Sequence, residues 1–150
     1  MGEMYTILCI KCDFSFEYVT KIFFYDGDSI EEMGFGFKAC DEMAKSPLSG
    51  HLYESYCKEC DHIIKRYVID DSKTQMERME AICLVSRLIK DKEYSLIEFG
   101  REKANEVLFC PKCGLDIPHS FQEIKDCPKC GGQMKQNNDL IITFDYFFDI

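Results

Sequence analysis

A chain of 150 residues with 46% apolar and 13% aromatic side chains can bury a core of its own or hold two small metal-stapled units, and is too apolar for a disordered tail. Its formal charge of −9 disfavours a nucleic-acid partner, because that affinity comes largely from Lys and Arg neutralising phosphates. No stretch approaches the apolar length of a membrane span, and residues 1–5 carry no basic region ahead of an apolar run, so the expectation is a cytoplasmic protein with neither span nor signal peptide.

Residues 4–8 read as a strand entering the first CxxC pair, Cys9-Ile10-Lys11-Cys12. Residues 14–25 leave it as a strand-like run with Phe14, Phe16 and Tyr18, then Ile22, Phe23 and Phe24, so a β-hairpin is the expected carrier. Asp26-Gly27-Asp28 reads as a turn. Gly34-Phe35-Gly36-Phe37 lacks the third glycine of a dinucleotide loop and any following Walker-type GK[ST], and reads as a bend or bulge with both rings on the core. Residues 41–45 suggest one short helical turn, and residues 46–50 a loop.

The second pair, Cys57-Lys58-Glu59-Cys60, is followed by an apolar-rich strand over residues 62–69. A helix is expected from Ser72 as N-cap, with Gln75 completing a capping box and Met76, Met79, Ile82, Cys83 and Ile89 at roughly helical spacing. Its apolar run over 81–89 implies burial on several sides or a dimer contact. After the break at Asp91-Lys92-Glu93, residues 94–104 read as a second helix. The resemblance to a helix-turn-helix is weak there, given Gly100 and the acidic Glu98 and Glu102. Residues 107–109 read as the strand feeding the third pair, Cys110-Pro111-Lys112-Cys113-Gly114. The fourth is Cys127-Pro128-Lys129-Cys130-Gly131-Gly132, and residues 140–148 form an aromatic closing strand.

Two residues between cysteines let a tight turn aim both sulfurs at one point, while amides of the turn donate hydrogen bonds to them. A thioredoxin-type redox couple would occur once, and a secreted disulfide framework would not repeat this spacing; four pairs point to metal. The candidate ligands are Cys9, Cys12, Cys57, Cys60, Cys110, Cys113, Cys127 and Cys130, for two Zn²⁺ ions per chain. Consecutive elements usually lie close, so the expected pairing is sequential, Cys9/Cys12 with Cys57/Cys60 and Cys110/Cys113 with Cys127/Cys130. A cross-braced arrangement is the alternative. Four cysteines with no open position make a structural rather than catalytic site. His62 could replace a cysteine, but reads as a solvent-facing strand-edge histidine. Cys40 and Cys83 read as small buried hydrophobes. Iron is the rival metal at Cys110, Cys113, Cys127 and Cys130, because thiolate tetrahedra suit either ion. His51, His62 and His119 are widely separated in sequence, and no HExxH, GxSxG or paired-carboxylate motif is present. Glu59-Cys60-Asp61-His62 matches one ExxH of a di-iron bundle without the helices such a site requires. No catalytic site is read, and an enzyme is not expected.

The CPxCG repeats between Cys110 and Gly131 resemble the zinc-ribbon superfamily, which hosts transcription factors, ribosomal proteins and enzyme subunits; they also resemble rubredoxin-type sites. The whole layout, with an N-terminal CxxC, the Gly34-Phe37 motif, a second CxxC, a middle segment and a terminal CPxCGG, looks like a group of uncharacterised small bacterial proteins, chiefly from anaerobic Gram-positive organisms. That resemblance implies zinc ribbons and no assigned activity. The expectation is therefore an α+β, β-rich protein with two four-cysteine zinc ribbons: residues 1–70 with a long insertion between knuckles, a helical connector over 71–105, and residues 106–150. Its expected role is a protein-protein interaction or adaptor module, through a partner or self-association. The alternatives are a nucleic-acid-associated transcription or translation accessory ribbon and a rubredoxin-like iron electron carrier.

Overall fold

The computed structural model describes residues 3–101, 103 and 105–143. It is an α+β, β-rich fold, with two α-helices and three sheets among the described residues. Strands β1 (Glu3–Cys9) and β2 (Ser15–Val19) form an antiparallel hairpin with the first CxxC in its loop, and β10 (Met134–Thr143) pairs with the other side of β1. The expected run over 14–25 is interrupted at Thr20. Its second half, β3 (Lys21–Tyr25), enters a different sheet of five strands, in which it lies between β4 (Ile30–Gly34) and β5 (Ser49–Cys57), followed by β6 (His62–Ile69) and β7 (Ser95–Phe99).

Side-chain alternation explains why the centre of β3, Ile22 to Phe24, is apolar on both faces. Ile22 and Phe24 pack on α1 (Phe37–Lys45) through Ala39 and Met43, while Phe23 faces the opposite cluster with Leu52, Tyr67, Ala81 and Val85. Asp26-Gly27-Asp28 forms the expected turn into β4 (Ile30–Gly34), where Asp26 accepts from the amides of Asp28 and Ser29, both at 2.8 Å. Phe35 is half-buried against the α1 cluster, whereas Phe37 is exposed, so only one ring of the glycine-aromatic motif packs as expected.

Strand β5 (Ser49–Cys57) replaces part of the expected loop over 46–50 and forms a central hairpin with β6 (His62–Ile69), the strand read from the sequence. The second CxxC lies in its loop. Helix α2 (Arg78–Leu88) is shorter than expected: Glu77 caps it by accepting from the Met79 amide at 2.7 Å, while Ser72 instead bonds Asp70. Ala81 and Val85, four apart, form its buried side, with Ile89 just beyond.

The expected second helix over 94–104 is not formed. Its place is taken by a 3₁₀ turn at 92–94 and strand β7 (Ser95–Phe99), parallel to β6. Glu98 makes this possible: it is 1% exposed, and its carboxylate pairs with both Nε and Nη2 of Arg66 on β6 at 2.8 Å. Short strands β8 (Leu108–Phe109) and β9 (Asp116–Ile117) make the third sheet around the third CxxC. Of the expected closing strand over 140–148, residues 140–143 belong to β10 and the remainder lies outside the described residues. Among the described residues, no helix is long and apolar enough to cross a membrane.

Candidate metal centres

The eight predicted ligands gather into two four-cysteine groups, but not by the sequential pairing. One group is Cys9, Cys12, Cys127 and Cys130; the other is Cys57, Cys60, Cys110 and Cys113. The first knuckle joins the fourth and the second joins the third, so one centre is nested inside the other along the chain. This also overturns the four-ligand set Cys110, Cys113, Cys127 and Cys130, at which iron was the alternative.

Strand pairing explains the correction. Cys9 lies opposite Met134 across the β1–β10 ladder, which sets the loop containing Cys130 beside the loop containing Cys12. Gly132 permits the approach, since a Cβ there would meet Lys11 Cγ at 3.1 Å. The inner centre closes between two hairpin tips, β5–β6 and β8–β9. Two bonds bind the segment after β9 to the five-stranded sheet: Ser55 Oγ donates to Pro118 O, and Arg66 Nη1 donates to His119 O at 2.7 Å.

The sulfur spacing is that of a metal tetrahedron. Cys9 and Cys130 stand 3.5 Å apart, Cys12 and Cys127 3.6 Å, Cys57 and Cys113 3.4 Å, and Cys60 and Cys110 3.8 Å. Within each group all sulfurs lie within 4.8 Å of one another. Four thiolates about 2.3 Å from one ion would have edges of about 3.8 Å, whereas a disulfide requires about 2.05 Å.

Each knuckle also stabilises sulfur charge. Backbone amides of Lys11, Phe14, Cys60, Lys112, Lys129 and Gly132 approach Sγ of Cys9, Cys12, Cys57, Cys110, Cys127 and Cys130 at 3.3 to 3.5 Å. Gly114 and Gly131, each directly after a knuckle, adopt φ of +83° and +76°, a conformation glycine takes without a Cβ penalty. Asp61 holds the corresponding position after Cys60 at φ +50°.

One thiol leads ionisation in each group. Burial opposes it at Cys9, but the amides of Lys11 and Cys12 and the thiols of Cys130 and Cys12 outweigh that cost and hold the pKa at about 6. Cys110 is likewise opposed by burial and drawn to about 7 by the amides of Cys113 and Lys112 and its neighbouring thiols. Burial and adjacent thiols push Cys60 up to about 12. The Phe14 amide pulls Cys12 downward, yet burial and three nearby thiols carry it to about 12. Ionising all four sulfurs at such close approach requires a cation among them, which is the chemistry of this donor set.

Among the described residues, no histidine or carboxylate joins either group. His62 stays outside the centres, stacked on Tyr94 at 3.7 Å between ring centroids. Cys40 and Cys83 are exposed rather than buried. Cys83, two residues from both Ala81 and Val85, lies opposite the side of α2 that they bury, whereas Cys40 lies at the margin of the α1 face buried by Ala39 and Met43. His51 and His119, distant in sequence, both line a cleft beside β5, β6 and β7, an encounter that no local pattern announces.

No family model, curated protein or solved structure matches this chain. The zinc-ribbon resemblance therefore rests on the cysteine spacing and on the two four-cysteine centres.

Proposed function

We propose that the protein is a zinc-scaffolded interaction module: both centres hold structural Zn²⁺, and the fold they brace presents an apolar face to another protein. Closure of the donor sets carries this reading. Four cysteines per centre, each group lacking a nitrogen or carboxylate ligand among the described residues, leave no position of the kind a catalytic ion keeps for water or substrate. Zinc binding at such centres is worth about 10 to 16 kcal/mol of apparent free energy, ample to hold the two-stranded sheet and the β1–β2 hairpin in place. No catalytic role is assigned to the chain.

The interaction face is best supported at β8. Val107 and Phe109 are 63% and 55% exposed on either side of buried Leu108, and β9 is the only described strand that pairs with β8. An apolar face next to an unpaired strand edge suits a protein partner or a second copy of this chain. The acidic composition disfavours the nucleic-acid alternative. The iron alternative shares the sulfur donors, and elemental analysis separates it from zinc.

The test is a photo-crosslinking residue at position 109 in the metal-loaded protein. Crosslinks to protein, either another copy or a distinct partner, that vanish on chelation are expected. Crosslinks to nucleic acid, or an absence of crosslinks, would contradict the reading.

A further inference from the structure

The segment that carries the third cysteine pair and runs on to the fourth lies across the seam between the two larger sheets, and its own hydrogen bonds do little to hold it there. Among the described residues, the backbone of residues 105–132 hydrogen-bonds only within itself and with Lys103 and Gln133. Its two strands, β8 and β9, pair with each other and with neither larger sheet. Two side chains of the five-stranded sheet reach across to it: Ser55 Oγ donates to Pro118 O, and Arg66 Nη1 donates to His119 O at 2.7 Å. Two exposed ion pairs, Lys112 with Glu93 and Lys129 with Asp61, add little. The remaining hold is apolar. Leu108 and Ile117 pack with Ile64 and half-buried Leu96 beside the inner sulfurs. Phe121, 2% exposed, sets its ring centroid 4.1 Å from that of Phe16, in a cluster with Ile7 and Tyr56.

The two ends of the segment are secured differently. Downstream, β10 pairs with β1 from Met134 opposite Cys9 to Thr143 opposite Glu3, a ladder that needs no ion. Upstream, the Gly100 amide donates to Ile69 O at 2.8 Å, and the next fixed attachment to the five-stranded sheet is the inner centre, where Cys110 and Cys113 meet Cys57 and Cys60. Strands β8 and β9 have two residues each, and an isolated two-stranded hairpin is marginal in water. Nothing else in the segment can replace the inner fastening, whereas loss of the outer one leaves the β1–β10 ladder in place.

We propose that residues 105–126 form a strap released by loss of the inner ion. With metal held by Cys57, Cys60, Cys110 and Cys113, the strap covers the seam; without it, the strap leaves β5 and β6 and uncovers Ile7, Phe16, Tyr56 and Ile64. The five-stranded sheet stays folded, because its larger core, built on Phe23, Leu52, Tyr67 and Val85, takes no residue from the strap. Val107 and Phe109 travel with the strap, so the occupancy of one centre decides which apolar surface the protein displays. The inference rests on the metal occupancy proposed above, zinc and iron alike, and not on a partner at β8.

Hydrogen–deuterium exchange read by mass spectrometry would compare the metal-loaded full chain with two double variants, Cys57→Ser with Cys60→Ser and Cys9→Ser with Cys12→Ser, whose substitutions lie outside the strap. In the inner-centre variant, amides of residues 119–124 should exchange about tenfold or more faster than in the wild-type chain, as a local opening does, while those of residues 64–69 keep their protection. In the outer-centre variant, residues 119–124 should exchange as in the wild-type chain. Equal exchange of residues 119–124 in both variants, faster exchange in the outer-centre variant alone, or loss of protection across residues 64–69 in the inner-centre variant would overturn the strap. Native mass spectra of the same samples count the ions: a wild-type chain without metal would overturn the occupancy reading and the strap with it, whereas a loaded chain with any of those exchange patterns would overturn the strap alone.

Discussion

Lys129, between the last two cysteines, holds its ammonium 3.5 Å from the carboxylate of Asp61, the residue that follows the second knuckle. Tyr56, immediately before Cys57, donates its hydroxyl to the same carboxylate. Together with Lys129, that hydrogen bond keeps the Asp61 carboxyl below its ordinary pKa, while burial and the neighbouring carboxylate push the Tyr56 phenol up. Lys129 also donates its amide to Cys127 Sγ and places its ammonium 5.6 Å from the Phe14 ring centroid. A polar bridge thus runs from the inner metal centre to the outer one.

The bridge is exposed, so Lys129→Met should cost little global stability, at most about 1 kcal/mol. Its effect should appear in metal release. During chelation followed by native mass spectrometry, the wild-type chain is expected to pass from two ions to none with little one-ion species, and Lys129→Met should accumulate that species. Identical distributions would show that the bridge does not couple the centres.

The Arg66–Glu98 pair is internal, with side chains 7% and 1% exposed. Glu98→Gln should destabilise the protein by about 3 to 5 kcal/mol by leaving a buried guanidinium without its counter-charge. Replacing both residues with apolar ones should recover much of that loss. Chemical denaturation of the single and double variants measures the difference.

The sequence disclosed the elements whose causes are local. Strand β6 could be read from its apolar run, and the four knuckles from their spacing. Strand β5 could not, because its polar residues are buried for reasons that lie elsewhere in the chain: Ser55 donates to Pro118 O, and Gly50 leaves room for Val68 O. The same holds for β7, read as part of a helix over 94–104, because the residue that pairs with buried Glu98, Arg66, is distant in sequence. Nearness in sequence favoured the wrong cysteine pairing because the long β1–β10 ladder outweighs it. The closing strand read from residue 140 onward was the available clue, since residues 140–143 belong to β10.

Gly50 of β5 has no room for a side chain. A Cβ there would stand 2.1 Å from Val68 O and 2.8 Å from Phe23 Cζ. Gly50→Ala should therefore separate β5 from β6 and cost about 3 kcal/mol, the upper end for overpacking. Unchanged thermal stability would contradict that account.

Burial lowers the pKa of His51 below its ordinary 6.5; Asp70 opposes the shift, and Lys73 and Arg101 reinforce it. The unfolded chain therefore takes up this proton at higher pH than the folded one. Stability should fall as pH drops through 6.5 and stop falling, for this group, once pH is below the folded-state value. His51→Gln should flatten that part of the stability profile, as measured by denaturant titration between neutral and mildly acid pH.

The nested pairing of the four knuckles is tested most directly by counting metal ions in double cysteine variants by native mass spectrometry. Cys12→Ser with Cys127→Ser injures only the outer centre and should leave one ion per chain, while Cys12→Ser with Cys57→Ser injures both and should leave none. The reverse result, no ion in the first pair of variants and one in the second, would mean that the knuckles pair sequentially and that the nested arrangement is wrong.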